Sequence, residues 1–356
     1  MQTGLPARGR GARSNASGRY EARTVEAFDD GWDEADAPAP RLATTLTAER
    51  ARSVISRNTS PDVPFDQAIN TYRGCEHGCI YCYARPNHAY VGLSPGIDFE
   101  SKLFFKPDAP RLLEQELARP GYVCRPIHIG GVTDVYQPVE RPQRLTRACM
   151  EVLQACGHPF SVITKSALIA RDADILGDMG ARGLVRAFVS VTTLDRRLAR
   201  DMEPRAATPE RRLQAIRTLA EAGVPVGVGF SPVIPGLNDH EMEAVLERAR
   251  DAGASTASFI LLRLPREIAG LFKEWLAEAR PDRAERVMSL IRQARGGREN
   301  DPRFGDRMKG AGPVAALIAS RFRLACRRLG LNTERRPLRT DLFRPPRAAG
   351  QMDLFG

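Results

Sequence analysis

The chain has 356 residues, 42% of them hydrophobic, which is enough to bury one large core or two modest ones. No apolar run is long enough to span a bilayer and the N-terminus lacks the apolar core of a secretion signal, so composition excludes a membrane protein and predicts a cytoplasmic one. Fifty-three Lys and Arg against 43 Asp and Glu give a net charge of +10. This charge indicates a polyanionic partner, unless it only reflects a GC-rich genome that favours arginine.

Residues 1–45 are predicted to form a disordered tail. They are rich in Gly, Ala, Ser and Arg and then turn acidic from Glu26 to Asp36, with little apolar surface to bury. The acidic run is either a solvated tail or a mimic of the polyanion that folds back on the basic surface.

Three cysteines, Cys75, Cys79 and Cys82, follow at C-x3-C-x2-C spacing. A structural zinc ion closes with four ligands, and an ordinary iron–sulfur cluster is held by four thiolates. Three thiolates on one short loop therefore leave one iron of a four-iron cluster without a protein ligand and free to hold a substrate or cofactor. A zinc knuckle with His77 as the fourth ligand is the alternative, although no second cysteine pair stands at zinc-finger spacing.

Short apolar runs alternate with longer amphipathic stretches from about residue 65 onward. The six predicted strands are the residues just before Cys75, 127–131, 160–164, 187–192, 225–230 and 257–262. The predicted helices between them are 111–118, 143–155, 172–179, 209–221 and 241–252. This alternation predicts a parallel sheet with right-handed crossovers. Because a full barrel would need two more units, we expect a partial (β/α)6 barrel over residues 46–264.

The pattern turns helical after Leu262. Residues 268–279, 283–294 and 314–329 carry apolar side chains at helical spacing, so residues 265–332 predict a C-terminal helical extension. Residues 333–356 are rich in Pro and Arg and predict a flexible basic tail. Nine arginines against two carboxylates between residues 321 and 347 form a local basic patch, which genome bias explains poorly.

Polar or glycine residues follow each predicted strand. The carboxyl ends of parallel strands meet at one edge of a sheet, where ligands bind. We therefore expect the segments after the strands to surround the cysteine loop. They are Gly130-Gly131-Val132-Thr133-Asp134, Thr164-Lys165-Ser166, Ser190-Val191-Thr192-Thr193 and the loop from Ser231 to Asp239.

With these motifs, residues 62–264 resemble the radical S-adenosylmethionine (SAM) superfamily, and within it the group related to spore photoproduct lyase, a DNA-repair enzyme. The shared features are tyrosines on both sides of Cys82, Thr-Asp after the second strand, Thr-Lys-Ser after the third and a serine in the fourth. The resemblance implies a TIM-type partial barrel, a 4Fe–4S cluster, SAM and an external electron donor. It also implies that SAM chelates the open iron and that its reductive cleavage gives a 5′-deoxyadenosyl radical.

The resemblance implies roles for individual residues. The three cysteines are the cluster ligands. Tyr81 packs on the adenine unless it only belongs to the core, and Lys165 binds the SAM carboxylate unless it is a surface lysine at the barrel rim. Ser190 suits the ribose or the amino group, unless it only packs within its strand. Gly130 and Gly131 allow the methionine moiety to approach the backbone closely. Thr133 and Asp134 form the Thr-Asp pair shared with the family, in which Asp134 either binds the SAM amino group or caps the next helix. Pro235 and Gly236 belong to a loop that resembles the family's adenine-contacting loop.

One departure concerns the hydrogen-atom donor. Spore photoproduct lyase uses a cysteine in the segment before the Thr-Asp pair, whereas residues 128–132 contain no thiol here. Cys124 lies upstream and is expected at the wrong end of the strand, which leaves Tyr83 as the candidate relay. The resemblance therefore implies SAM cleavage without implying the same lesion chemistry.

The last six residues, Gln351-Met352-Asp353-Leu354-Phe355-Gly356, resemble the peptide with which bacterial polymerases and repair proteins bind the DNA sliding clamp. Leu354 and Phe355 would enter an apolar pocket and Gln351 a polar subsite, unless this terminus packs on its own domain. A second Asp-Leu-Phe at residues 341–343 lacks the glutamine and is either incidental or a docking segment.

Together these features predict a radical SAM enzyme acting on nucleic acid, with damaged DNA favoured. The alternatives are modification of RNA or a peptide, or a non-catalytic metal-stapled nucleic-acid-binding module.

Overall fold

A computed structural model describes residues 9–21, 42–334 and 337–346. Its strands are β1 (Thr45–Ala48), β2 (Ile55–Arg57), β3 (Gln67–Ile69), β4 (Tyr72–Arg73), β5 (Lys102–Phe105), β6 (Ile127–Ile129), β7 (Phe160–Thr164), β8 (Val185–Ser190), β9 (Val226–Val233) and β10 (Thr256–Leu261). Its helices are α1 (Ile97–Ser101), α2 (Ala109–Leu117), α3 (Glu140–Gln143), α4 (Leu145–Ala155), α5 (Ala173–Ala181), α6 (Arg196–Met202), α7 (Pro209–Glu221), α8 (Met242–Asp251), α9 (Ile268–Ala279), α10 (Ala284–Gln293), α11 (Asp306–Lys309) and α12 (Pro313–Leu329).

The main sheet has seven strands in the order β10-β9-β8-β7-β6-β3-β2. Every neighbouring pair from β3 to β10 is parallel, and β2 is antiparallel to β3 at one edge. Six parallel strands alternate with helices, so the α/β class and the partial (β/α)6 barrel are confirmed. Since β10 and β2 are the two edges of the sheet, the barrel is open.

The first barrel strand lies earlier than expected. It is β3, which ends at Ile69, whereas Tyr72 and Arg73 just before the cysteine loop pair antiparallel with β5. A small sheet of order β1-β5-β4 results, which the sequence did not predict. Its strands have two to four residues each, too few for an alternating pattern to stand out.

Side chains on the barrel strands alternate between two environments. On β7, Phe160, Val162 and Thr164 are buried, whereas Ser161 and Ile163 are partly exposed. Phe160 and Val162 belong to the large apolar core that also includes residues of α4, α5, α7 and α8. The opposite set of positions faces the interior of the open barrel, which the period of two along a strand requires.

Helices α9 and α10 form a second apolar core with the cysteine loop, whereas α12 packs in the core of the barrel. Phe272 and Trp275 of α9 share this core with Ile80 and Tyr81, and the indole of Trp275 donates to the carbonyl of Asp201 (3.0 Å). The helical extension therefore supports the cysteine loop from one side. None of the helices in the described ranges has both the length and the apolar character that crossing a membrane requires.

Part of the predicted N-terminal tail is ordered. Residues 9–21 pass over the cysteine loop, and both carboxylate oxygens of Glu100 accept backbone amides, from Gly11 and Ala12 (2.8 Å each). A side chain on Gly11 would place its Cβ 1.8 Å from the carbonyl oxygen of Gly78, so this close approach needs glycine. We call residues 9–21 the N-terminal strap; the acidic run from Glu26 to Asp36 lies outside the described residues.

Part of the predicted C-terminal tail is also docked. Phe343 contacts the rings of Tyr122 and His158, with centroids 5.6 and 5.2 Å away, and the amide of Arg344 donates to the carbonyl of Cys156 (2.8 Å). The second Asp-Leu-Phe is thus a docking segment on its own domain. The clamp-like peptide with Gln351, Leu354 and Phe355 lies outside the described residues.

Candidate cluster and cofactor site

The three cysteines lie on a tightly wound loop between β4 and α1. Two reverse turns form it: the amide of Gly78 donates to the carbonyl of Cys75 (3.3 Å), and that of Cys82 donates to Cys79 (3.2 Å). The amide of Ile80 is held by the carbonyl of Met202 at the end of α6 (3.0 Å). Cys75 and Cys79 are buried, and Cys82 is the most exposed of the three.

The cysteines fit an iron–sulfur cluster. All three are free, and burial raises the pKa of Cys75 and raises that of Cys79 to about 12, so their thiolates require cations beside them. In the described ranges, no three His, Cys, Asp or Glu side chains are grouped as the ligands of a single ion would be. A cluster in which each thiolate binds its own iron suits this arrangement, and the zinc alternative gains no support.

Asp134 ties the cysteine loop to two strand ends. Its Oδ1 accepts the Thr164 hydroxyl (2.7 Å) and the Tyr136 amide (3.0 Å), and its Oδ2 accepts the Lys165 amide (2.8 Å) and lies 3.2 Å from Nδ1 of His77. Burial raises the pKa of Asp134, but His77 and the other donors lower it further, to well below its ordinary value. With four neighbours on its two oxygens, the carboxylate has little capacity left for a ligand.

Lys165 places an unpaired cation beside the cysteine loop. Its Nζ lies 5.8 Å from the centre of the Tyr81 ring, and it has no hydrogen bond or ion pair with another described side chain. Burial lowers the pKa of Lys165, but Cys79 and Glu203 raise it more, so the amine is charged at neutral pH. A charged amine without a carboxylate partner is suited to an anionic group of a ligand.

A buried ion pair lies behind Tyr81, and the sequence did not predict it. Glu203, just after α6, accepts the hydroxyls of Tyr81 and Thr192 and pairs with Arg212 of α7. Burial raises the pKa of Glu203, whereas Arg212 and Lys165 lower it, and the net shift is downward. The available signal was an arginine on the apolar face of α7, next to Leu213.

The other strand-end residues differ in what they can offer a ligand. The hydroxyl of Ser190, at the end of β8, makes no hydrogen bond within the described part of the chain. Gly130 has φ of +97°, which other residues rarely adopt, whereas a Cβ on Gly131 would meet only ordinary contacts. The hydroxyl of Thr133 donates to the carbonyl of Gly74 (2.6 Å) and so holds the cysteine loop.

The loop after β9 is a fixed turn at the same edge. The side chain of Asn238 donates to the carbonyl of Thr192 (2.7 Å) and accepts the amide of Ile234 (2.6 Å). Pro235 is buried, and the amide of Gly236 donates to Asp239 (2.7 Å). Two residues of this loop share the apolar core of the cysteine loop, namely Ile234 and Leu237.

Tyr83 stands at the rim of the site. Its side chain is 48% exposed, its hydroxyl donates to the carbonyl of Gly131, and the guanidinium carbon of Arg263 lies 4.8 Å from its ring centre. Tyr83 therefore reaches the segment that lacks a thiol. Cys124 precedes the start of β6, at the end of that strand opposite to Gly131, as expected.

The sequence matches known proteins over most of its length. A family model described as the radical SAM superfamily matches residues 69–249. An uncharacterized protein of Mycobacterium tuberculosis is 34% identical over 265 residues, which cover 74% of this chain and 76% of that protein. An uncharacterized protein of Methanocaldococcus jannaschii is 27% identical over 236 residues, covering 66% of this chain and 84% of that protein.

The fold is similar to that of solved structures of spore photoproduct lyase. The complex with dinucleoside spore photoproduct has a TM-score of 0.59 and 16% sequence identity, over 80% of each chain. A double mutant with bound AdoMet and dinucleoside spore photoproduct has a TM-score of 0.51 and 16% identity, over 66% of this chain and 67% of that chain. At this identity the likeness is one of fold.

Proposed function

We propose that this chain, which belongs to the radical SAM superfamily, acts on a nucleic acid and that its substrate is damaged DNA. It is a radical SAM enzyme whose cofactors are a 4Fe–4S cluster and SAM. When bound, these cofactors supply reductive cleavage of the sulfonium C–S bond and thereby a 5′-deoxyadenosyl radical. Modification of RNA or of a peptide is the alternative, because this fold does not determine which substrate binds at the open end of the barrel.

The side chains at the strand ends divide the work of binding. The three cysteines hold the cluster, and the apolar residues around them exclude water. Lys165 neutralises the SAM carboxylate, and Ser190 binds the ribose or the amino group. The observation that carries the assignment of the SAM site is that Lys165 is charged, lies against Tyr81 near Cys79 and has no partner among the described side chains.

The other assignments extend the cofactor site. Tyr81 offers its ring to the adenine, with its hydroxyl held by Glu203. Gly130 keeps the backbone open to the methionine moiety, and Thr133 and Asp134 hold the surrounding loops in place. The adenine-contacting loop comprises Pro235 and Gly236.

Charge supports a nucleic-acid substrate. The net charge is +10, and α12 carries three exposed arginines that form no ion pair with described residues, Arg323, Arg327 and Arg328. Spore photoproduct lyase, which has a similar fold, has been solved in complex with dinucleoside spore photoproduct. Free cysteines throughout the described ranges suit a reducing, cytoplasmic location.

Tyr83 is the proposed hydrogen-atom relay. Its hydroxyl reaches the Gly131 carbonyl, in the segment before Thr133 and Asp134 that lacks a thiol. The ring is half exposed and therefore accessible to a substrate at the rim.

The proposal is tested with reconstituted enzyme, a reductant, SAM labelled in its 5′-deoxyadenosyl group, and ultraviolet-damaged DNA, all under argon. We expect about four irons per chain, 5′-deoxyadenosine, and label transfer or altered lesions in the DNA. A preparation with one zinc and no cleavage would support the metal-stapled binding module. Replacing Cys79 by Ala should remove cluster and turnover in a folded enzyme, whereas a metal staple should unfold.

We further propose that Gln351, Leu354 and Phe355 bind the bacterial sliding clamp. The peptide follows a segment rich in Pro and Arg, and its apolar pair, Leu354 and Phe355, would enter a pocket of the partner. Binding to the clamp would bring the enzyme to replicating or repaired DNA.

A further inference from the structure

We infer that the rim of the site carries a track of aromatic and arginine side chains that binds a single nucleic-acid strand, with Arg263 on a phosphate and Phe304 under a base. This inference rests on the proposed function, because it names how a nucleic-acid substrate would be held. Its basis is that each exposed aromatic side chain in the described part of the chain has an arginine guanidinium against it. These pairs are Tyr20 and Tyr90 with Arg19, Tyr83 with Arg263, and Phe304 with Arg307.

Arg263 is the cation of this track that is free to bind a ligand. It follows β10 at the edge of the sheet where the cysteines lie and stacks on Tyr83, the residue after Cys82. In contrast to Arg307, which pairs with Asp62, it forms no hydrogen bond or ion pair to any described residue. Stacking fixes the plane of the guanidinium and leaves its N–H edges available for a bidentate contact with an anion.

Asp62, a carboxylate whose charge acts on Arg263, does not pair with it. Asp62 accepts the amide of Gly305 (2.7 Å) and the side chain of Arg307, so both of its oxygens are engaged. Burial lowers the pKa of Arg263 and Arg307 lowers it further, whereas Tyr83 and Asp62 raise it. The net shift is downward, so an added negative charge would stabilise the guanidinium. A phosphodiester supplies this charge on a group that matches the guanidinium fork.

Phe304 supplies an exposed aromatic face near that cation. Its side chain is 61% exposed, and the guanidinium carbon of Arg307 lies 4.6 Å from its ring centre. The loop that carries it is held to the barrel, since Asp62 binds both Gly305 and Arg307. A fixed, exposed ring backed by a cation is a stacking platform for a base and does not depend on which base is present.

Tyr20 and Tyr90 extend the track on the other side. Their rings stack with centroids 5.4 Å apart, each is 60% exposed, and Arg19 covers both. Arg19 pairs with Glu267, four residues after Arg263, which places this pair beside the rim. Stacked bases separated by phosphates match alternating aromatic and arginine groups, whereas the bases of an intact duplex would not be accessible to them.

The test is the binding of a fluorescein-labelled 12-residue oligothymidylate to the full-length, cluster-loaded enzyme, followed by fluorescence anisotropy under argon. We expect Phe304→Ala and Arg263→Gln each to raise the Kd at least about fivefold. Arg263→Gln should also lower the slope of log Kd against log salt by about one, whereas Phe304→Ala should not change it. Iron content and thermal midpoint verify that both variants are folded.

Two matched controls remove the same groups elsewhere. Arg217→Gln deletes an exposed arginine on α7, and Leu317→Ala deletes an exposed apolar side chain on α12; neither should change the Kd appreciably. If Phe304→Ala and Arg263→Gln both bind the oligonucleotide as tightly as the wild type, the proposed track is wrong, but a nucleic-acid substrate remains supported. Absence of oligonucleotide binding by the wild type at low salt would overturn both, and a peptide substrate would then be sought.

Discussion

Glu203 and Arg212 form a fully buried ion pair directly behind Tyr81. Removing one partner of such a pair leaves an uncompensated charge in the core, which costs about 3–5 kcal/mol. We therefore expect Arg212→Met to lower the free energy of unfolding by this amount at neutral pH, measured with urea under argon. Arg211→Met, one residue away but exposed, is the control and should change it by less than about 0.5 kcal/mol.

The difference in free energy of unfolding between the wild type and Arg212→Met should depend on pH, because Glu203 titrates differently in the two proteins. Pairing holds its pKa below the ordinary 4.5, so the pair stabilises the fold above this pH, and the stabilisation is lost as pH falls through the lowered value. In Arg212→Met, burial raises the pKa of Glu203, so the carboxyl takes up a proton as the solution becomes acidic. The difference in free energy of unfolding should therefore become smaller toward acid pH. A difference that does not change with pH would mean that Arg212 stabilises the fold through packing of its side chain.

Lys165 is expected to control the affinity for SAM. Lys165→Gln removes the charge that we assign to the SAM carboxylate, and losing a charge-assisted hydrogen bond of about 1.5–3 kcal/mol should raise the Kd by about tenfold or more. Equilibrium dialysis with the cluster-loaded enzyme measures this change. Methylthioadenosine lacks the carboxylate, so its affinity should not differ between the two proteins. An equal loss for both ligands would place Lys165 outside carboxylate binding.

Tyr83→Phe tests the relay at the rim. The substitution keeps the ring and its contact with Arg263 but removes the hydroxyl that reaches Gly131. We expect less product per 5′-deoxyadenosine formed, because radicals generated at the substrate are not returned to a closed-shell product. Both species are measured by chromatography in the same reaction. An unchanged ratio would mean that another group donates the hydrogen atom.

The parts of the fold that the sequence predicted depend on local patterns. Strand β7 and helices α7 and α9 have the predicted bounds, because apolar residues at regular spacing lie within each segment and Pro or Gly lies at or near its ends. The cysteine spacing also lies within eight residues of chain, so the cluster loop could be recognised without knowing the fold.

The parts that were missed depend on contacts between distant residues. Glu100 binds the amide of Gly11, 89 residues away, and Tyr81 binds Glu203, 122 residues away. Composition made the first 45 residues resemble a disordered tail, because most contacts of the N-terminal strap use backbone amides and polar side chains, such as Arg19 with Glu267, and no run of apolar residues marks them. No periodic pattern records such contacts.

The N-terminal strap should protect the cluster. Gly11→Ala would force a methyl group to within 1.8 Å of the Gly78 carbonyl, so the strap should detach and uncover the cysteine loop. We expect the visible absorbance of the cluster to decay faster in air than in the wild type. Gly270→Ala is the matched control, because a Cβ there meets nothing within 4 Å. Equal decay in all three proteins would show that the strap does not shield the cluster.

The two Asp-Leu-Phe sequences of the chain provide an internal comparison for clamp binding. Leu354→Ala with Phe355→Ala should abolish the micromolar binding that we expect between the full-length enzyme and a purified bacterial clamp, because both changes remove the apolar groups that would enter the pocket. Leu342→Ala with Phe343→Ala makes the same substitutions in the docked copy. There Phe343 packs on Tyr122 and His158, so the second variant should lose stability and keep its clamp affinity. Surface plasmon resonance at a temperature where both variants are folded measures the affinities. If the wild type does not bind the clamp, or if only the second variant loses binding, the terminal peptide is not the clamp ligand, and the argument for DNA then depends on the basic surface and the aromatic–arginine track alone.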